Sequence, residues 1–141
     1  MKPDQTPDVP AGFQAVEQPP GFTRHNGPFY EKTDAHGQVR AFRVLGRHLN
    51  RTGVVHGGML AAFMDNVLAH AVHRSAGHPA YTVRMVTDFL HPARPGDWIE
   101  GRARMIRHTR TLAFVEGELS VGSRRVLAGT GVFRLDQRQR G

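Results

Sequence analysis

The stretch Asn50-Arg51-Thr52-Gly53-Val54-Val55-His56-Gly57-Gly58-Met59-Leu60-Ala61-Ala62-Phe63-Met64-Asp65-Asn66 decides how this chain folds. A turn-rich segment ends in two adjacent glycines. An apolar run follows at once and continues through Val67-Leu68-Ala69 and Ala71-Val72. A helix that is apolar all round is enclosed by its domain rather than laid on the surface. Gly77-His78-Pro79 then supplies a glycine stop with a proline close behind, so the run predicts one helix over 57–76. Between Gly57 and Val72 the one formally charged residue is Asp65. A carboxylate inside an enclosed helix is costly unless something pairs with it or uses it. Asp65 is therefore the first candidate for chemistry.

Working outward, residues 1–22 hold five of the nine prolines and little periodicity. They predict an arm, extended or partly ordered, with Phe13 and Val16 as its anchors. A short strand follows Gly27-Pro28 over 29–32, then a turn at Asp34-Ala35-His36-Gly37, then a second, alternating strand over 39–44. Beyond the helix the chain reads as β throughout, with strands over 81–90, 98–107, 112–121 and 126–135. The domain is expected over 23–136, with a frayed tail at 137–141. Two strands, one helix and four strands make an α+β protein. An antiparallel sheet of about six strands has one apolar face to cover, and wrapping it around the single long helix covers it.

A chain of 141 residues suits one domain with a real core, and its lack of cysteine excludes disulfides and thiolate metal sites. No apolar run is long enough to span a bilayer, and Met1-Lys2-Pro3-Asp4 leads into no signal-peptide core. The expectation is a cytoplasmic protein without membrane contact. Net charge is +7, of which +6 lies from Gly101 onward, where nine arginines face three acids. Such a strip attracts anions: nucleic acid, an acidic surface or a phosphorylated small molecule. Nucleic acid is the weakest of these, because no aromatics are interleaved with the arginines and only 8% of residues are aromatic.

Asn50, Gly53, His56-Gly57-Gly58, Asp65-Asn66, the long following strand, and Pro92-Ala93 ahead of Gly96-Asp97 together resemble the hotdog-fold acyl-CoA thioesterases. Within these the chain is similar to the PaaI-like (phenylacetic acid degradation) branch, in the same broad group as the mammalian thioesterase superfamily members. The resemblance covers residues 20–136. It implies a sheet wrapped around a central helix, dimers joined edge to edge, and often a dimer of dimers. It implies hydrolysis of an acyl-CoA to free acid and CoA (EC 3.1.2.-), with no cofactor, since coenzyme A belongs to substrate and product. It further implies that Asn50 orients the water or the thioester, and that Thr82 hydrogen-bonds the water or the carboxylate.

The residues support a matching chemistry. Thioester hydrolysis needs donors for a developing oxyanion, and the unpaired N–H groups at a helix N-terminus supply them. Gly57 and Gly58 leave that backbone open to a carbonyl, and His56 stands ready to cap the helix or to meet the carbonyl. Asp65 fits a general base or a nucleophile. Gly57 and Asp65 are eight residues apart, about 12 Å along one helix, too far for one carbonyl to meet both. If both act, two helices contribute, running antiparallel across a two-fold axis, and the protein is an obligate dimer. The CoA phosphates need cations. Arg107, His108 and Arg110, at a turn between strands, form the best-placed cluster, with Arg84 and Arg125 as further candidates. Met59, Phe63 and Met64 are candidates for lining an acyl groove. His70 and His73 have ligand-like spacing but no third partner, so no metal is expected. The competing reading is a non-catalytic hotdog protein that binds or senses acyl-CoA.

Overall fold

The computed structural model describes residues 7–136; the expected tail at 137–141 lies outside them. In chain order the elements are β1 (Gln14–Ala15), α1 (Phe22–Asn26), β2 (Tyr30–Asp34), β3 (Gly37–Arg43), α2 (Gly57–Ala76), β4 (Ala80–Phe89), β5 (Trp98–His108), β6 (Leu112–Val121) and β7 (Arg124–Leu135). The long helix α2 has the bounds its sequence predicts. Gly77 ends it in the left-handed conformation, φ 72°, donating its N–H to the His73 carbonyl at 2.8 Å.

The strands form one antiparallel sheet in the order β1-β2-β3-β5-β6-β7-β4. Seven strands replace the expected six or so, because the two-residue β1 pairs with β2 inside the proline-rich arm. A two-residue strand is too short to show alternation, and so is the five-residue α1 to show helical periodicity. The sheet curls around α2. Met59, Leu60, Phe63, Met64, Val67, Leu68 and Val72 are buried against Phe42, Ile99, Val115, Leu119, Leu127 and Phe133. Each such side chain stabilises the fold by about 1.5–3 kcal/mol. The helix lies close on the sheet: a Cβ at Gly101 would meet Val67 at 2.6 Å and Leu119 at 2.9 Å.

The opposite face of the sheet carries a second, smaller cluster. Alternation along β3 sends Phe42 toward the helix and Val39 and Ala41 the other way. Phe13 folds back onto that outer surface, its ring 5.0 Å from the Trp98 ring and edge-on to it. The arm is thus pinned by Phe13, one of its two expected anchors, which is buried.

Among the described residues, strand β4 is the other edge of the sheet, bonded to β7 alone. Tyr81, Val83, Val86, Phe89 and, just beyond it, Leu90 are all exposed. A long apolar edge with unpaired backbone groups is a template for another chain.

Candidate functional site at the helix N-terminus and the edge strand

The loop before α2 is built by its own polar groups. The Asn50 carboxamide oxygen accepts from the Thr52 N–H at 2.9 Å, the Thr52 hydroxyl at 2.8 Å and the Val54 N–H at 3.3 Å. His48 is buried, its Nδ1 accepting from the Leu45 N–H at 3.0 Å and its Nε2 donating to the Asn26 carbonyl at 2.7 Å. Burial, partly offset by that last bond, holds its pKa below the ordinary histidine value. The His56 N–H donates to the His48 carbonyl at 2.8 Å, so the buried histidine sets the chain's entry into the helix. Nothing in the sequence around His48 marks it as buried.

His56 caps α2: its Nδ1 accepts from the Gly58 N–H at 2.8 Å. The Met59 and Leu60 N–H groups reach the His56 carbonyl. Among the described residues, the Gly57 N–H is left with no partner. The two glycines have separate local reasons. A Cβ at Gly58 would lie 2.9 Å from the capping Nδ1, and a Cβ at Gly57 would lie 3.3 Å from the ring of Phe89.

Asp65 is half-buried and meets β4. The Thr82 hydroxyl donates to its Oδ1 at 2.5 Å, the one side-chain hydrogen bond of that carboxylate among the described residues. The strand is bulged here. Thr82 pairs with Phe133 and Arg84 with Val132, leaving Val83 as the extra residue. The bulge keeps Thr82 on the helix side while Arg84 turns to the outer face. Period-two patterning cannot show such an insertion in advance.

Asn66 points elsewhere, accepting from Arg40 Nη1 at 2.8 Å. Arg40 also pairs with Glu31 at 3.3 Å, and His70 Nε2 lies 3.9 Å from the same carboxylate. Burial first, then the Arg40 charge, push the His70 pKa down to about 4. Among the described residues no group of three His, Cys, Asp or Glu is placed to hold a metal.

Two clusters of candidate residues therefore lie on the chain, at opposite ends of β4. Asp65 and Thr82 mark one end, and Gly57 and Phe89 the other. The helix is continuous between Gly57 and Asp65, so the two stay about 12 Å apart along its axis. Thr82, Phe133, Ala113 and His108 share one row across four strands, which puts the β5–β6 turn about 14 Å from Thr82. Arg107, His108 and Arg110 are exposed at that turn. Among the described residues of the basic strip, Arg102, Arg104, Arg124 and Arg125 pair with Asp34, Glu116, Asp97 and Glu118. Met59, Phe63 and Met64 are buried in the core and are not positioned to line a groove. The Phe63 ring lies 4.7 Å from the Phe42 ring. No helix among the described residues is long and apolar enough to cross a membrane.

The thioesterase superfamily model matches residues 52–128, from the loop before α2 into β7. The chain belongs to the thioesterase superfamily. A Pseudomonas aeruginosa relative provisionally named an esterase is 36% identical over 131 residues, covering 91% of this chain and 98% of its own. Human acyl-coenzyme A thioesterase 13 is 29% identical over 110 residues, 77% of this chain and 79% of that one. Among solved structures, zebrafish thioesterase superfamily member 2 is similar with a TM-score of 0.76 and 29% identity, covering 84% of this chain and 88% of its own. The Escherichia coli PaaI protein from the phenylacetic acid degradation operon shares the fold, with a TM-score of 0.66 and 24% identity, covering 70% of this chain and 72% of its own. The superfamily's hotdog arrangement accounts for the sheet wrapped on α2.

Proposed function

We propose that this protein hydrolyses acyl-CoA thioesters in two equivalent sites, each shared between two copies of the chain. The observation that carries the reading is the Asp65–Thr82 pair on an unpaired apolar edge strand whose far end holds the open Gly57 N–H. Two copies of β4 pairing antiparallel about an axis at Val86 bring Thr82 of one opposite Phe89 of the other, because the extra Val83 leaves six register steps between them. That register unites Asp65 of one subunit with Gly57 of its partner and pairs the open backbone edge of β4, with Phe89 facing the shared site.

The thioester carbonyl oxygen accepts the Gly57 N–H at the positive end of α2. Thr82 holds Oδ1 of Asp65, leaving Oδ2 to accept a proton from water. The water oxygen bonds to the carbonyl carbon and negative charge moves onto the oxygen at Gly57. As that charge returns, the C–S bond breaks and CoA leaves as the thiolate, to be protonated. The acid is released. CoA enters and leaves with the substrate, so no separate cofactor takes part. His56 serves by capping, Asn50 by shaping the loop, and Gly58 by making room for the cap. Arg107 and Arg110 offer cations, and His108 a ring N–H, to the CoA phosphates at the β5–β6 turn. Human acyl-coenzyme A thioesterase 13 supports the substrate class by its name.

The test is release of CoA thiol from acetyl-, hexanoyl-, decanoyl- and benzoyl-CoA. The wild type turns over, and Asp65→Asn loses at least about 100-fold in kcat, the usual scale for a general base. Full activity in the variant would refute the role of Asp65. Binding without turnover across the whole series would favour an acyl-CoA-binding protein instead.

A further inference from the structure

The apolar side chains of α2 face the core, which leaves open what an acyl group would touch. The Phe89 ring is 55% exposed, and it lies over Gly57, 3.3 Å from where a Cβ would stand. Phe89 pairs with Leu127, whose side chain is buried, so both face the helix side of the sheet. A carbonyl oxygen bonded to the Gly57 N–H sits about 2.9 Å from that nitrogen. Acyl carbons attached to that carbonyl can reach the ring at van der Waals distance, about 4 Å.

We propose that Phe89 is the acyl-selecting residue of the site, and that the substrate class is the apolar acyl thioester rather than acetyl or a charged acyl group. This rests on the reading of Gly57 as the group that binds the thioester carbonyl. An apolar acyl group covers the exposed ring and gains its burial. An acetyl group is too short to cover it. A carboxylate pressed against it loses hydration with nothing in return.

The experiment compares wild type, Phe89→Ala and Phe89→Leu on acetyl-, hexanoyl- and succinyl-CoA. Alongside the rates, titration calorimetry measures binding of acetyl and hexanoyl carba(dethia)-CoA analogues, which keep the carbonyl but have CH2 in place of sulfur. For Phe89→Ala the expected result is a loss of about tenfold or more in kcat/KM for hexanoyl-CoA, with acetyl-CoA within about twofold. Phe89→Leu keeps hexanoyl-CoA within about threefold. A structural role would lower all substrates together, so equal losses on acetyl- and hexanoyl-CoA overturn the proposal, as does no loss on either. If Phe89→Ala fails to assemble by sedimentation, Phe89→Gln carries the same expectation. Should the wild type turn over nothing, a preference for the hexanoyl analogue that Phe89→Ala abolishes leaves Phe89 as selector while hydrolysis fails. Equal binding of the two analogues by the wild type refutes the selector.

Discussion

Gly57→Pro removes one hydrogen-bond donor and little else. Gly57 is the first residue of α2, where a proline's missing N–H breaks no helical bond and its fixed φ suits the helix. The preceding His56 is already extended, at φ −60° and ψ 133°, as a following proline requires. The new Cβ meets one neighbour, the Phe89 ring, at 3.3 Å. That ring is largely exposed and can give by a few tenths of an ångström. The fold should therefore hold within about 1 kcal/mol, or roughly 5 °C in Tm. The proposed oxyanion donor, by contrast, is gone. Removing one such donor costs about 2.7–4 kcal/mol of transition-state stabilisation, or roughly 100- to 1000-fold in kcat. Gly57→Ala is the control, since it makes the same contact with Phe89 but keeps the N–H, and its loss should stay under about tenfold. The assays are kcat and KM on hexanoyl-CoA with a thermal melt. A folded Gly57→Pro protein with wild-type kcat would refute the assignment of the N–H.

Two further outcomes follow from other parts of the molecule. His70 has a folded pKa of about 4, below the unfolded value, so its contribution to stability is complete above pH 6.5 and is lost as pH falls from there toward 4. With the side chain one-fifth exposed and Glu31 nearby, the loss should be about 1–3 kcal/mol; His48 is shifted in the same direction and adds to it. Urea melts at pH 7, 5.5 and 4.5 should show it, and His70→Gln should flatten part of it; equal slopes in wild type and variant would count against it. Val86→Lys places two like charges beside the proposed two-fold axis, a repulsion of about 1–4 kcal/mol at 4 Å. Sedimentation should show more monomer, with specific activity falling on dilution; an unchanged dimer with full activity would rule out the β4 register.

Much of the fold is legible because its elements repeat one period over many residues. The bounds of α2 and β6 follow directly from apolar patterning and turn residues. Strand order does not: β4 joins the sheet beside β7, three strands later in sequence, and nothing local dictates that. The site was legible in its types. An acid in an apolar helix and two glycines before it are local signals, and Thr82 does bond Asp65. The bulge at Val83 was hidden, because one inserted residue looks like ordinary strand. His48 was hidden because burial of a polar loop residue depends on distant partners such as Asn26. Met59, Phe63 and Met64 could be read as groove or core from pattern alone, and only the wrapped sheet places them in the core. Phe89 gave no signal, since its meeting with Gly57 joins residues that only the tertiary fold brings together.

The central claim is that each active site takes Gly57 from one subunit and Asp65 from the other. Mixing the inactive Gly57→Pro and Asp65→Asn proteins, with subunit exchange through mild denaturant, tests it directly. Half of the dimers formed at random are mixed, and each of those has one intact site, so activity should return to about a quarter of wild type. If each site were built within one chain, every mixed dimer would hold two damaged sites and the mixture would stay inactive.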